Sequence, residues 1–241
     1  MNNQLQKKHN LFVREWDVDI HNEPVDITAQ LNQELESLAL VTELLTPAKL
    51  NIWTAHTALV VGQAETRLPR YGQAQEQLAE QGWEVVHRTS GGTAFPQCSG
   101  VLNISAILAI DARGVSIKSS YQDFCKVLIE ALDNCGIDAC EGQQARAFCD
   151  GDYNILVNGK KLIGTAQRLK SGSNNRGMLA HAAVFFDIDK QQVSSLVNRF
   201  YKISGSSKRF YSDAIINTTD LVPAIEYKQV ATSFANAFQG L

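Results

Sequence analysis

The chain has 241 residues and a formal net charge of −3, with 44% apolar and 20% charged residues. That balance excludes a disordered tail and a fibrous protein, and it provides no basic field to hold nucleic acid. No run approaches the roughly 18 apolar residues that a helix needs to span a bilayer, so neither a membrane nor nucleic acid is expected as a partner. The first ten residues, M-N-N-Q-L-Q-K-K-H-N, carry two lysines with no apolar stretch behind them, so no secretory signal is expected. The five cysteines, Cys98, Cys125, Cys135, Cys140 and Cys149, are odd in number and contain no C-x-x-C pair. Free thiols in a reducing cytoplasm follow, and no metal site is expected.

In chain order, residues 1–24 read as a polar, irregular N-terminal segment, and 25–241 as one domain. Asp26–Leu45 has Leu31, Leu35, Leu38 and Leu45 near helical spacing, with Asp26 placed to cap the start. Leu50–Trp53 and Ala58–Val61 read as strands. Gln73–Gln81 reads as a helix stopped by Gly82. Glu84–Arg88 is a strand running into the loop Thr89–Gly92, and Val101–Ile110 is a second apolar strand. Tyr121–Asn134 is amphipathic, with Phe124, Val127, Leu128 and Leu132 on one side. In Tyr153–Ala166 two β-type runs flank Asn158-Gly159, the pair suited to a type I′ turn. Ala180–Phe186 is a strand, and Asp189–Tyr201 and Ile225–Phe238 are helices. Strands and helices interleave without strict alternation, which predicts an α+β fold: one domain with a mixed sheet flanked by helices.

Four places carry chemistry. In Arg88-Thr89-Ser90-Gly91-Gly92, adjacent glycines allow close approach of a ligand to the backbone, and Arg88 could hold a carboxylate or phosphate; a plain turn is the other reading. Cys149 stands in a loop just before the hairpin, where a nucleophile is displayed, although the residues alone favour the blander reading of a half-buried free thiol. Cys125 reads as buried on its helix. Lys161 follows the Asn-Gly turn; strand alternation puts it with Ile163 and Thr165 on one face, and Leu162, Gly164 and Ala166 on the other. A solvated hairpin lysine like Lys160 is the alternative. His181, before an apolar strand, is either structural or catalytic.

Taken together, R-T-S-G-G-T-A, G-V-L-N-I-S, N-G-K-K-L-I-G-T-A-Q-R and H-A-A-V-F-F, in that order, resemble the biotin/lipoate protein ligase and octanoyltransferase superfamily. The resemblance runs from about Trp53 to Phe186. It is nearest to the cysteine-dependent octanoyl and lipoyl transferases of the Bacillus type, which carry a cysteine twelve residues ahead of the hairpin lysine, as Cys149 stands to Lys161. Thr66-Arg67-Leu68-Pro69 also resembles that branch. Asn154, at a position commonly acidic in the branch, and Gln97-Cys98-Ser99, in place of a more acidic stretch, depart from it.

The resemblance implies that Cys149 accepts the acyl group. Lys161 would hold the acyl carbonyl and favour the thiolate. Gly91 and Gly92 would form the wall of an acyl tunnel, with Arg88 at its mouth; Ser90, Gly164 and Ala166 would complete the substrate contacts. Val101, Leu102, Ile104 and Val157 are candidates for its apolar lining. The implied activity is transfer of an octanoyl or lipoyl group to a lysine of lipoyl-domain proteins, such as a glycine-cleavage H protein or a 2-oxoacid dehydrogenase acyltransferase subunit, by a cytoplasmic monomer without a cofactor. An ATP- and magnesium-dependent lipoate ligase is the alternative enzyme. It fits less well, because Tyr153-Asn154 replaces that branch's Asn-Asp pair and only residues 187–241 follow the last shared strand. A non-catalytic acyl-binding paralogue is the third reading.

Overall fold

The computed structural model describes residues 10–111, 115–173 and 175–241. Its first half runs β1 (Asp17–Ile20), α1 (Ile27–Thr42), β2 (Lys49–Trp53), β3 (Ala58–Val61), a 3₁₀ turn at Glu65–Arg67, α2 (Tyr71–Ala79), β4 (Glu84–His87), β5 (Phe95–Gln97) and β6 (Val101–Asp111). There follow α3 (Ile117–Asp133), β7 (Cys140–Gly142), β8 (Asn154–Val157), β9 (Lys160–Ser171), β10 (Asn175–Phe185), α4 (Lys190–Ser204), α5 (Thr218–Leu221) and α6 (Tyr227–Gln239). Seven strands form one sheet in the order β1-β2-β6-β10-β9-β8-β7, and β4-β3-β5 form a second. Both sheets are mixed: β1 runs parallel to β2 and β3 parallel to β4, while the other pairs are antiparallel.

Strand β6, in the interior of the large sheet, is apolar at most positions because both of its faces are covered. Leu102, Ile104, Ala106 and Leu108 pack with Phe124 and Leu128 of α3 and Phe234 and Phe238 of α6. On the opposite face Ile107 meets Leu38 and Val41 of α1, and Val101 joins a core shared with α2, α4 and the small sheet. The candidate site residues lie in this second layer, between the large sheet and the small one. Among the described residues no helix is long and apolar enough to cross a membrane.

The N-terminal stretch departs from the sequence expectation. Phe12 and Trp16 are buried, with ring centroids 6.1 and 5.8 Å from Phe238, and β1 pairs along β2. Two aromatic anchors in a polar context were enough to dock the segment; residues 1–9, with the lysine pair, lie outside the described residues. Asp26 caps α1 by accepting from Ala29 N–H at 2.7 Å, but the helix ends at Thr42, because Leu44 turns left-handed (φ 59°) and Leu45 is 70% exposed. α3 starts earlier than its apolar face suggests, at a Ser116–Ser119 capping box. Asn158 and Gly159 adopt φ of 51° and 73°, as the type I′ turn requires.

Candidate active site

Cys149 sits in a left-handed backbone conformation (φ 53°) that side-chain-bearing residues rarely adopt. Such a conformation costs on the order of 1–3 kcal/mol and persists only where its surroundings impose it. Here both ends of the residue are tied down. Its N–H donates to Thr93 Oγ1 at 2.8 Å. Its carbonyl accepts from Asn154 Nδ2 at 2.8 Å and from Lys161 Nζ. Asn154, almost fully buried, also donates to Gly151 O and accepts from Thr165 N–H, which locks the loop to β9. The thiol therefore points at the glycine loop, where Sγ lies 3.2 Å from Thr93 O, 3.5 Å from Thr93 Oγ1 and 3.7 Å from Arg88 Nη2.

Gly92 explains the loop's composition. Its φ is 104°, and a Cβ there would lie 2.7 Å from Arg88 Nη2 and 3.1 Å from Cys149 Sγ. Gly91 has open space around its Cα; its contribution is a carbonyl that accepts from Arg88 Nε and Nη2 at 3.2 and 3.0 Å. The guanidinium is thus held across its own loop, with one nitrogen on Thr93 O at 2.9 Å and near the thiol.

Lys161 is fully buried, and its ammonium donates to the carbonyls of Phe148 (2.8 Å) and Cys149. Lys160 next to it is exposed. The expected pairing of faces needs correction. A register shift between Ile155 and Leu156 puts a bulge into the β8–β9 ladder, so Ile155 faces Ile163 while Leu156 faces Lys161. The extra residue reverses the alternation. Lys161 shares its side with Gly164, whose missing Cβ leaves room for Lys161 Cε and Nζ (3.1 Å each), whereas Ile163 packs in the opposite core. Gly164 and Ala166 line the same cavity as Cys149, so all three meet on one face.

Charge around the thiol favours its ionised form. Burial opposes the thiolate, but the Arg88 guanidinium, the Lys161 ammonium and the hydrogen bonds from Thr93 and Arg88 outweigh it, so the thiol titrates below its ordinary range. Burial pushes Lys161 down to about 8, against the pull of Cys149 and Asp150 and with the help of Arg88. Cys125 is the opposite case: buried at 1% exposure and beside Glu141, its thiol is pushed well above the ordinary value.

Cys149 opens onto a narrow cavity of about 70 Å³. Arg88, Ser90, Gly91, Gly164 and Ala166 line it, together with Ile27, Leu31, Trp53, Val60 and Phe95. Of the expected lining, Leu102, Ile104 and Val157 instead belong to the core on the far side of the sheet, and Val101 packs behind the cavity with the α2–α4 core. Periodicity could not separate the two faces of strands apolar on both. Gln97 and Asn103, both in the wall, bond each other reciprocally at 2.8 and 2.9 Å, so their polar atoms are occupied. His181 also lines the cavity, its Nε2 2.7 Å from the buried Glu34 carboxylate. Among the described residues no three His, Cys, Asp or Glu side chains are grouped to hold a metal ion.

A family profile described as the lipoyl protein ligase A/B catalytic domain matches residues 26–239. The chain belongs to that family. It is 30% identical over 204 residues to an octanoyl-[GcvH]:protein N-octanoyltransferase of Kyrpidia tusciae, covering 80% of this chain and 69% of the relative. It is 30% identical over 167 residues to a lipoyl-[GcvH]:protein N-lipoyltransferase of Listeria monocytogenes, covering 68% of this chain and 58% of the relative. The chain therefore spans about six-tenths of the length of that relative, and 69% of the first. Among solved structures, Ta0514 of T. acidophilum with bound lipoic acid, a putative lipoate protein ligase, superposes with a TM-score of 0.69 at 17% identity, covering 94% of this chain and 85% of that one. A lipoate-protein ligase A bound with ATP superposes at 0.67 and 16% identity, covering 95% and 84%. At those identities the likeness is one of fold, and it agrees with the mixed sheets flanked by helices.

Within this lipoyl-ligase-family domain, the structure brings together Cys149, Lys161, Arg88, Gly92 and the cavity-lining Ser90, Gly91, Gly164 and Ala166. The sequence assigned no role to two neighbours. Thr93 and Asn154 act on the backbone of Cys149, and the one local hint was their position inside the glycine loop and at the head of the hairpin. Asn154, at the position where the chain departs from the branch's acid, holds the Cys149 carbonyl directly.

Proposed function

We propose that the chain is an octanoyl- or lipoyl-protein acyltransferase that works through a thioester on Cys149. The observation that carries this reading is a single cysteine in the wall of a largely apolar cavity, held in a strained conformation, with Arg88 and Lys161 both lowering its thiol pKa. The names of the relatives support the acyl group and the H protein as partner.

In the first half-reaction the Cys149 thiolate attacks the acyl carbonyl of an N-acyl-lysine on the donor protein. A C–S bond forms, the C–N bond breaks, and the lysine leaves as an amine. An ammonium has three N–H bonds, and Lys161 gives two to backbone carbonyls. The third is the donor for the developing oxyanion. With a pKa near 8, Lys161 also passes its proton downhill to an ordinary leaving amine. In the second half-reaction a neutral acceptor lysine attacks the thioester; the C–N bond forms, the C–S bond breaks, thiolate returns, and Lys161 takes the amine proton back. Nothing in this sequence of steps consumes a nucleotide.

The test is transfer from purified octanoyl-H protein to a separate lipoyl domain with ATP and magnesium removed by apyrase and chelator. Full transfer is expected. Modification that instead needs free lipoate and ATP, with none from the preacylated donor, replaces this reading with a ligase.

A further inference from the structure

Behind the glycine loop lies a buried polar chain that the reaction scheme does not use. Tyr201 of α4 is fully buried and Glu65, in the 3₁₀ turn after β3, is 2% exposed. The phenol oxygen accepts from Ala94 N–H at 3.0 Å, and the phenol donates to Glu65 Oε1 at 2.8 Å. The direction of the chain is fixed by elimination. A backbone N–H can only donate, so the phenol must accept there, and its one hydrogen is left for the carboxylate. Burial, and then the neighbouring Glu65, raise the Tyr201 pKa, so that hydrogen is retained. Lys208 closes the chain from the solvent side, 3.5 Å from Glu65 Oε1 and 5.3 Å from the Tyr201 ring centre. Gly62 permits the crowding, since a Cβ there would lie 2.7 Å from Gly92 O and 3.2 Å from Glu65 Oε2.

Ala94 N–H and Thr93 C=O are opposite ends of one planar trans peptide, so fixing one direction fixes the other. The far end of that plane meets Cys149 Sγ at 3.2 Å and Arg88 Nη2 at 2.9 Å. The Thr93 hydroxyl beside it takes Cys149 N–H at 2.8 Å. We propose that Tyr201, oriented by Glu65, is a positioning residue that sets the Thr93–Ala94 peptide and through it the placement of the Cys149 thiol and the Arg88 guanidinium. This rests on Cys149 being the nucleophile. The charged groups facing the thiol are Arg88 from the loop and Lys161 from β9, with Asp150 beside the lysine; Glu65 and Lys208 stand behind the loop.

The experiment follows two quantities in the full chain: the pH midpoint of Cys149 alkylation by iodoacetamide, read by mass, and the single-turnover rate of acylation by octanoyl-H protein. Alkylation does not need acyl transfer, so a failure of the acyltransferase reading shows as a missing acyl adduct on a thiol that still titrates. Tyr201→Phe should raise the midpoint by roughly half a pH unit or more, and slow acylation about tenfold to a hundredfold, as expected when a reacting group is misplaced. KM for the donor should change little. Phe200→Leu, in the same helix and apolar core but outside the hydrogen-bond chain, controls for general loosening: it should lower the melting temperature and leave the midpoint in place. If Tyr201→Phe does not fold, Glu65 decides. Glu65→Ala should shift the midpoint upward, and Glu65→Gln, which keeps an accepting oxygen for the phenol, should recover most of the shift. An unshifted midpoint in folded Tyr201→Phe, or equal shifts from Tyr201→Phe and Phe200→Leu, overturns the proposal. So do equal effects from Glu65→Ala and Glu65→Gln.

Discussion

The buried ammonium of Lys161 has a thermodynamic signature that can be measured apart from catalysis. Its pKa falls from the ordinary 10.5 to about 8 on folding, with burial as the largest cause. Between those values the unfolded chain holds a proton that the folded chain has released, so stability must rise with pH across that window. The shift corresponds to about 3 kcal/mol in total, and to a slope of at most about 1.4 kcal/mol per pH unit. The Cys149 thiol also titrates low and contributes a rise of the same sign, so the clean comparison is made with Cys149→Ser in both proteins. Removing the thiolate takes away the attraction that raised the lysine, so the rise should be at least as large. The perturbation is Lys161→Met, which keeps length and volume but not charge. Losing the bonds to Phe148 O and Cys149 O gives a constant offset of about 1–3 kcal/mol, independent of pH. Urea unfolding from pH 7.5 to 10.5 would measure both curves. The lysine-bearing protein should gain about 3 kcal/mol relative to the Met variant over that range. Parallel curves would refute the argument that Lys161 is held in the interior as a strained cation.

Other outcomes follow from the same geometry. Lys161→Ala should slow single-turnover acyl transfer by about 10²–10³ and raise the Cys149 alkylation midpoint, while exposed Lys160→Ala should change either quantity little. Gly92→Ala must place a methyl against Arg88 Nη2 and Sγ at φ 104°, so alkylation and acylation should both fall at least about tenfold, whereas Gly91→Ala, with nothing within 4 Å, should be tolerated. Asn154→Asp exchanges an amide donor for a carboxylate facing the Cys149 and Gly151 carbonyls, and should cost about 1–3 kcal/mol in thermal unfolding and raise the thiol midpoint.

What was legible in the chain was what is encoded locally. The Asn158-Gly159 turn follows from two residues that tolerate positive φ, and the amphipathic face of α3 from spacing alone. Cys149, Lys161 and the glycine loop stood out by the family's pattern, and the fold brings them to one place. The face of Lys161 was misread because alternation assumes an unbroken ladder, and the extra residue of β9 between Lys161 and Ile163, opposite Ile155–Leu156, has no sequence marker. Glu34 was unremarkable in its helix until His181, 147 positions away, was folded against it. β1, β5 and β7 are three or four residues long, and β5 contains Pro96, admissible because it sits on a sheet edge. Thr93, Asn154 and Tyr201 bond the backbone of other residues and Glu65 bonds the Tyr201 phenol, contacts that no pattern of side-chain types records.

The central claim is that Cys149 carries the acyl group. Intact-mass spectrometry after mixing the protein with octanoyl-H protein, without nucleotide, tests it most directly. The account predicts one added octanoyl group that hydroxylamine removes, absent in Cys149→Ser and retained in Cys125→Ser. An adduct that survives Cys149→Ser, or acyl transfer at the normal rate in that variant, would contradict it.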